Sequence, residues 1–258
     1  MTALFDVTLQ VGELAVLSAL LGYSSLVGID GAALRLEEAD LNSFVISSAE
    51  SLKRERRMKY GTDGKLLIQQ ELLEAVSCLG DAEKILHLSE KPSGGKRESL
   101  WVLKRKSGPV TVCRPTDAEA YRLTLCDSFD PSDRIRALWK GAKPTLFSFS
   151  LPLVEAENIR EDALSFRVEK AKARLLSLLP GGEDAERMLA VLTGRADTLE
   201  LRLFRRKSSF YEASAHRLFA VSGTCAMTVT PDERESIHFE AVDSDRALAA
   251  LCPLQSEF

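Results

Sequence analysis

The hydrophobic pattern of the chain repeats in two stretches, one from Leu66 to Leu125 and one from Ala185 to Leu251. Each stretch predicts a helix, then short strands in which apolar and polar residues alternate, then a closing helix. The first closing helix is predicted from Thr116, because Thr116-Asp117-Ala118-Glu119 has the spacing of a capping box. In the second stretch, Asp243 is the predicted N-cap. The repeated order of elements predicts an internal duplication.

The segments that precede the two stretches are also alike. Each has three alternating apolar residues followed by an amphipathic helix, and the second of these helices is predicted to run from Asn158 to Leu179. Strands joined by short loops pair antiparallel. We therefore expect an α+β fold made of two similar halves, residues 1–141 and 142–258, with mainly antiparallel sheets and flanking helices about a pseudo-twofold axis. The alternating residues are Phe5, Val7 and Leu9 in one half and Phe147, Phe149 and Leu151 in the other.

Composition narrows the class of protein. The chain has 258 residues, 45% of them hydrophobic and 28% charged, which is ordinary for a globular protein. A net charge of −4 argues against a general nucleic-acid binder. The five cysteines are scattered, without CxxC spacing, and this indicates a reducing compartment. The start of the chain has no basic segment, and no apolar stretch approaches the ~20 residues of a membrane span. We expect a cytoplasmic protein with no membrane partner.

The sequence shows no catalytic or metal-binding motif. His87, His216 and His238 have no cysteine or acidic residue at metal-ligand spacing. The turn Ser222-Gly223-Thr224-Cys225 places small residues beside a thiol, but it is not a GxSxG elbow. We therefore predict no catalytic residue, no metal and no cofactor, and we predict that the protein is not an enzyme.

A predicted helix from Phe44 to Met58 ends in a dense group of charges. Cations in the last turn of a helix interact favourably with its dipole, which is one interpretation of this group. A second is a DNA-recognition surface, in which Leu66 to Leu79 forms the second helix of a helix-turn-helix and the following strands form a wing. Binding of a phosphate ligand or RNA, and binding of an acidic protein partner, are the remaining interpretations. A winged-helix-like DNA-binding regulator is thus the alternative function. Its nucleic-acid patch would comprise Lys53, Arg54, Arg56, Arg57 and Lys59.

Five segments of the chain follow one another in an order that is informative: Gly12 to Gly22, Arg57 to Gly64, Leu66 to Leu88, Arg217 to Thr228, and Asp243 to Leu251. This order of elements resembles the EspG-like proteins associated with type VII (ESX) secretion. The resemblance covers nearly the whole chain and implies a cytosolic, pseudo-twofold α+β protein that binds a helical secretion substrate and keeps it soluble. No residue of that family's substrate-contact loop has a matching signature here.

The resulting prediction is a non-enzymatic, protein-binding chaperone or adaptor whose partner is a helical secreted or client protein. A homodimer is compatible with this interpretation. Two segments are candidate contacts for the partner, and each could equally be a mobile hairpin tip. The candidate residues are Lys91, Pro92, Gly94, Gly95 and Lys96 in one loop, and Phe210 and Tyr211 in the other segment.

Overall fold

The computed structural model describes residues 2–29, 38–117, 119–143, 147–179, 182–232 and 235–251. The elements before residue 141 are β1 (Ala3–Gln10), α1 (Val11–Leu21), α2 (Glu38–Arg54), β2 (Met58–Tyr60), β3 (Leu66–Ile68), α3 (Gln70–Asp81), β4 (Lys84–Lys91), β5 (Glu98–Lys104), β6 (Val110–Pro115), β7 (Ala120–Cys126) and α4 (Ser132–Leu138). The later elements are β8 (Ser148–Pro152), α5 (Leu153–Leu164), α6 (Val168–Leu178), α7 (Gly182–Leu192), β9 (Asp197–Lys207), β10 (Phe210–Ser222), β11 (Cys225–Asp232), β12 (Ser236–Ala241) and α8 (Ser244–Ala249).

A single ten-stranded sheet runs through the molecule in the order β1-β7-β6-β5-β4-β9-β10-β11-β12-β8. Neighbouring strands in this order pair antiparallel. The predicted α+β class and the antiparallel pairing are therefore confirmed. The sheets of the two predicted halves are joined into one, because β4 pairs directly with β9.

The strand order is the same on both sides of the central β4–β9 pair. One wing of the sheet continues through β5, β6 and β7 to β1, and the other through β10, β11 and β12 to β8. The first strand of each wing in the sequence is thus its outermost strand. This order agrees with an internal duplication, while the pseudo-twofold rotation and the boundary at residue 141 stay predictions.

The predicted closing helix of the first stretch is wrong. Residues Ala120–Cys126 form β7, in which buried residues alternate with exposed ones such as Arg122. The polar residues of the proposed capping box form the preceding loop instead, where the Thr116 hydroxyl donates to the Ala120 carbonyl at 3.1 Å. Period-two burial of Tyr121, Leu123 and Leu125 therefore outweighs the local capping signal. Ala118, inside that predicted motif, lies outside the described residues.

The single helix predicted from Asn158 to Leu179 is also wrong, because two helices, α5 and α6, occupy the segment. They meet at a tight turn in which Phe166 has a φ of 60°, the left-handed region. Its side chain is 97% exposed. The buried Asp162 carboxylate holds the two helices together through ion pairs with Arg167, Lys170 and Arg174.

Helices cover both faces of the sheet. On one face, α1 and α3 pack on the first wing, and α5, α6 and α7 pack on the second. On the opposite face, α4 and α8 cover the middle of the sheet around the fully buried Phe219. Trp139, from the segment that joins the wings, lies in this core, and its indole N–H donates to the Val242 carbonyl at 3.1 Å. No helix in the described ranges is long and apolar enough to cross a membrane.

Candidate functional site

The two helix layers leave the central strands β4 and β9 between them. Phe204 of β9 packs into the core of α1 and α3, whereas Leu218 of β10 packs into the core of α5 to α7. Leu218 lies directly opposite Glu200, and Glu200 is on the same side of β9 as Phe204 because side chains alternate along a strand. Both layers therefore cover the same face, on which side chains of β4 and β9 lie between them.

Polar side chains occupy this gap. His87 on β4 lies opposite Arg202 on β9, and Arg202 lies opposite His216 on β10. Two residues further along the strands, and on the same face, Ser89 lies opposite Glu200. The apolar residues between them face the other side of the sheet and are buried under α4 and α8. We name this set the central polar strip; its residues are His87, Ser89, Lys91, Glu200, Arg202 and His216.

Glu200 is the electrostatic centre of the strip. Its Oε1 accepts hydrogen bonds from His216 Nε2 at 2.9 Å and from Arg202 Nε at 2.8 Å, and Arg97 Nη1 lies 3.9 Å from Oε2. The hydrogen bond from His216, followed by the contacts with Arg202, lowers the pKa of the Glu200 carboxyl to about 2. The carboxylate is therefore ionised at neutral pH, and it has more than one cationic neighbour. Arg202 remains 48% exposed.

His87 forms a fixed part of the floor of the strip. Its ring stacks on Trp101 with a centroid distance of 4.0 Å. Burial, and then the positive charge of Arg202, lowers the pKa of His87, so its imidazole is neutral at physiological pH. Above Trp101 the backbone at Gly28 approaches the indole closely, since a Cβ there would lie 2.7 Å from the ring. Trp101 is thus packed closely against both the His87 ring and the backbone at Gly28.

The predicted contact loop Lys91 to Lys96 lies at one end of the strip. Lys91 is the last residue of β4, and Pro92, Gly94, Gly95 and Lys96 form the turn that follows. The turn is tied down at Ser93, whose backbone N–H donates to Asp197 Oδ1 and whose hydroxyl donates to the Arg195 carbonyl, both at 2.5 Å. A role for this loop in partner binding stays a prediction.

The second predicted segment lies beyond the other end of the strip. Phe210 is 58% exposed and opposes Lys207 at the end of β9, while the Tyr211 hydroxyl donates to the Ala82 carbonyl at 2.9 Å. Lys91, at the other end, opposes Thr198. Nine residues of strand separate the two ends, a distance of about 30 Å. Only an elongated partner can contact both predicted segments at once.

The basic helix end does not form a helix-turn-helix. The helix ends at Arg54, earlier than the predicted Met58, and the hairpin of β2 and β3 separates it from α3. Arg57 pairs with the buried Glu13 at 3.4 Å and with Glu55 at 2.5 Å. Lys53 lies over the ring of Tyr60, 4.9 Å from its centroid. Some of the proposed DNA contacts, which also include Arg54, Arg56 and Lys59, therefore have partners within the protein.

Comparison with known proteins shows a likeness of fold to a solved structure. No protein-family model and no curated protein matches the chain. Among solved structures, the Mycobacterium tuberculosis type VII secretion system chaperone EspG5 in complex with the PE25–PPE41 dimer matches over 95% of this chain and 94% of that chain, with a TM-score of 0.66. The chain has the EspG5 fold. The sequence identity is 9%, so the resemblance to EspG-like proteins is confirmed as a likeness of fold.

On this EspG5-like fold, sequence reasoning missed the strip itself. Glu200 and Arg202 lie in the second stretch, where the sequence predicts only short alternating strands, and His87 and His216 were considered only as metal ligands. The alternation was the one available signal, since polar residues on both central strands indicate a face that helices do not cover. Across the described ranges, no group of three or more His, Cys, Asp or Glu residues could hold a metal ion.

Proposed function

We propose that this protein is a non-enzymatic chaperone or adaptor that holds a helical client of a secretion system along the central polar strip. The observation that carries this proposal is the central polar strip between two helix layers, in which Arg202 and His216 remain partly exposed, on a fold shared with a secretion chaperone. EspG5 was solved in complex with the PE25–PPE41 dimer, which supports a protein partner for this chain as well.

The dimensions of the strip suit a helix. The neighbouring strands β4, β9 and β10 give it a width of about 10 Å, and an α-helix with its side chains is about 10–12 Å across. The distance of about 30 Å between Lys91 and Phe210 corresponds to about 20 residues of helix. One client helix, or the end of a helical pair, can therefore span the strip from Lys91 to Tyr211, which shares the face of Phe204.

The chemistry of the strip favours a client with acidic groups. Glu200 is held by His216 and Arg202, so its charge is compensated within the protein. Arg97 is mostly exposed, and Arg202 keeps almost half of its surface in solvent. Exposed arginines are among the residues that carry much of the binding energy at interfaces. The client helix would present carboxylates, or its negative C-terminal end, to these arginines.

The test is affinity capture from the native host followed by mass spectrometry. The strip variant carries Arg97→Glu and Arg202→Glu, and the control carries Arg136→Glu, an exposed residue of α4 on the opposite face. We expect the unsubstituted protein and the control to recover the same helical secreted protein, and the strip variant to lose it. Circular dichroism and thermal unfolding establish that both variants remain folded.

Two results would contradict the proposal. One is equal recovery of the client by the strip variant and the control, which would move the site elsewhere. The other is recovery of nucleic acid with strong salt dependence, or of nothing specific, which would remove the chaperone function. A further variant lacking Lys91 to Lys96 tests the loop together with the end of the strip at Lys91, because that deletion leaves Arg202 and His216 in place.

A further inference from the structure

The outer edge of β1 is open in the part of the chain that is described, where β7 is its one neighbour in the sheet. Val7 opposes Leu123, and the same register continues to Val11, whose N–H donates to the Glu119 carbonyl at 2.7 Å. Hydrogen bonding alternates along an antiparallel pair. The odd-numbered residues of β1 therefore direct their backbone groups towards β7, and the even-numbered residues direct theirs outwards.

The number of open positions on this edge is small and well defined. The outward N–H of Gln10 donates to Glu13 Oε2 at 2.9 Å, so the edge ends there. The register is irregular between Ala3 and Phe5, at the start of the strand. Asp6 and Thr8 remain, and each offers one regular outward N–H and C=O to another strand.

The edge of β1 lacks the features that usually prevent strand addition. The opposite edge strand, β8, has five residues and ends at Pro152, which has no N–H to offer. In contrast, β1 has eight residues without proline or lysine. Its one charge, on Asp6, is held on the sheet face by Arg122, with Nε–Oδ1 and Nη2–Oδ2 distances of 2.9 and 2.6 Å. A long edge without such protection is suited to pairing.

We propose that β1 pairs antiparallel with β1 of a second copy of this chain, about a twofold axis at which Val7 opposes Val7. In this register Phe5 opposes Leu9 on the face covered by helices, and Asp6 opposes Thr8 on the other face. Apolar residues thus meet apolar ones, and polar residues meet polar ones. A shift of the axis to Asp6 would instead place two like charges opposite each other, which is unfavourable.

A second copy fits this edge better than the client does. The client inferred above is helical, and a helix has no free backbone groups to add to a sheet edge. The edge also lies four strands away from β4, so the two surfaces are separate. The outward groups of Asp6 and Thr8 in both copies would form about four hydrogen bonds across the axis. The pairing joins two ten-stranded sheets and does not depend on the proposed function.

The first test is the oligomeric state of the full chain by sedimentation velocity over a wide range of concentration. We expect a monomer–dimer equilibrium for the unsubstituted protein. Thr8→Pro removes an outward N–H without removing a β1–β7 hydrogen bond, and should weaken the dimer by more than about tenfold. The matched control is Ser150→Pro on the other edge strand, β8. The Leu153 N–H donates to the Glu235 carbonyl in the register of the β8–β12 pair, so the alternation of hydrogen bonding directs the Ser150 N–H outwards as well. The control should dimerise like the unsubstituted protein.

The second test is disulfide trapping, which does not depend on how a proline is tolerated. Directly opposed positions in a non-hydrogen-bonded antiparallel pair are close enough for a disulfide, so Val7→Cys should give a covalent dimer on mild oxidation. In the proposed register Thr8 opposes Asp6 of the other copy and not Thr8. Thr8→Cys should therefore not give a covalent dimer, and neither should the unsubstituted chain. A monomer at all concentrations, or trapping of Val7→Cys no greater than that of Thr8→Cys, would overturn the proposal.

Discussion

His216 Nε2 lies 2.9 Å from Glu200 Oε1, across the β9–β10 pair in the central polar strip. This hydrogen bond is the largest cause of the low pKa of Glu200, and the contacts with Arg202 add to it. The pKa falls from an ordinary value of 4.5 to about 2. The folded state therefore binds a proton at this site less readily than the unfolded chain does, and the fold is linked to pH.

Replacing Glu200 should destabilise the protein in a pH-dependent manner. A carboxyl whose pKa is lowered on folding stabilises the fold above its unfolded pKa, and this contribution is lost as the pH falls from 4.5 towards 2. We expect Glu200→Gln to lower the free energy of unfolding by about 2 kcal/mol at neutral pH, less than the full shift implies because Arg202 is partly solvated. Urea unfolding at neutral pH and near the shifted pKa measures this difference.

The matched control for this measurement is Glu183→Gln, since Glu183 is largely exposed and pairs with Arg187 at 3.0 Å. It should change the stability by less than about 0.5 kcal/mol at either pH. An effect of Glu200→Gln that is equally small at neutral pH, or that grows as the pH falls, would contradict a stabilising role for the His216–Glu200 pair.

The buried carboxylate between α5 and α6 should matter more than any one of its cations. Asp162 is 5% exposed, and its Oδ1 lies 2.9 Å from Arg167 Nη2 and 3.2 Å from Lys170 Nζ, while Arg174 Nη1 is 3.4 Å from Oδ2. We expect Asp162→Asn to cost about 1–2 kcal/mol of unfolding free energy. Lys170→Ala should cost less than about 1 kcal/mol, because two cations remain and Lys170 is exposed.

Urea unfolding of the two variants checks this order of effects. Asp133→Asn is the control, because Asp133 is almost fully exposed on α4 and pairs with one arginine, Arg136. Its substitution should be nearly neutral. If Asp162→Asn were no more harmful than Asp133→Asn, the ion-pair cluster would not be what joins α5 to α6.

The sequence predicted several of the strands, though not β7, and it did not predict their register. The alternating strands predicted for the second stretch include β9, in which Leu199, Leu201 and Leu203 alternate with polar residues. The predicted N-cap Asp243 caps α8 by accepting a hydrogen bond from the Arg246 N–H at 2.8 Å. The contact of His216 with Glu200 could not be predicted, because it depends on how β10 pairs with β9. Register is a long-range property that local patterns do not specify.

One local signal was misleading, and one turn had no local signal, each for a physical reason. The capping-box residues before Ala120 are equally favourable in turns, where side-chain oxygens bond to nearby backbone, as Asp117 Oδ1 does with the Glu119 N–H at 2.8 Å. The turn at Phe166 contains no glycine or proline, although its φ of 60° is unusual for an aromatic residue. Packing of α6 against α5 and α7 determines this turn, and it has no sequence signal of its own.

The turn at Ser93 should be protected from hydrogen exchange. Its N–H donates to Asp197 Oδ1 at 2.5 Å, which fixes the β4–β5 loop to the start of β9. We expect Asp197→Ala to speed exchange of the Ser93 amide by about fivefold, the effect of losing one hydrogen bond. Ser93→Ala, which keeps that N–H and removes the hydroxyl bond to Arg195, is the matched comparison. Full exchange of this amide at the unprotected rate in the unsubstituted protein would instead identify a mobile hairpin tip.

Gly12 should be required for the close contact between α1 and α2. A Cβ at this position would lie 2.2 Å from Ser48 Oγ and 2.7 Å from the Phe44 ring. Overpacking of this kind costs about 1–3 kcal/mol, which exceeds the roughly 1 kcal/mol that alanine gains over glycine in a helix. We therefore expect Gly12→Ala to destabilise the protein.

A double-mutant cycle separates this clash from other effects of the substitution. Ser48→Ala removes the nearer of the two clashing atoms, so adding it to Gly12→Ala should restore about 1 kcal/mol of the lost free energy of unfolding. The Phe44 ring remains, so recovery should be partial. Urea unfolding of the four proteins gives the coupling directly. Additive effects, or a Gly12→Ala variant more stable than the parent, would show that α1 and α2 do not meet at Gly12 in solution.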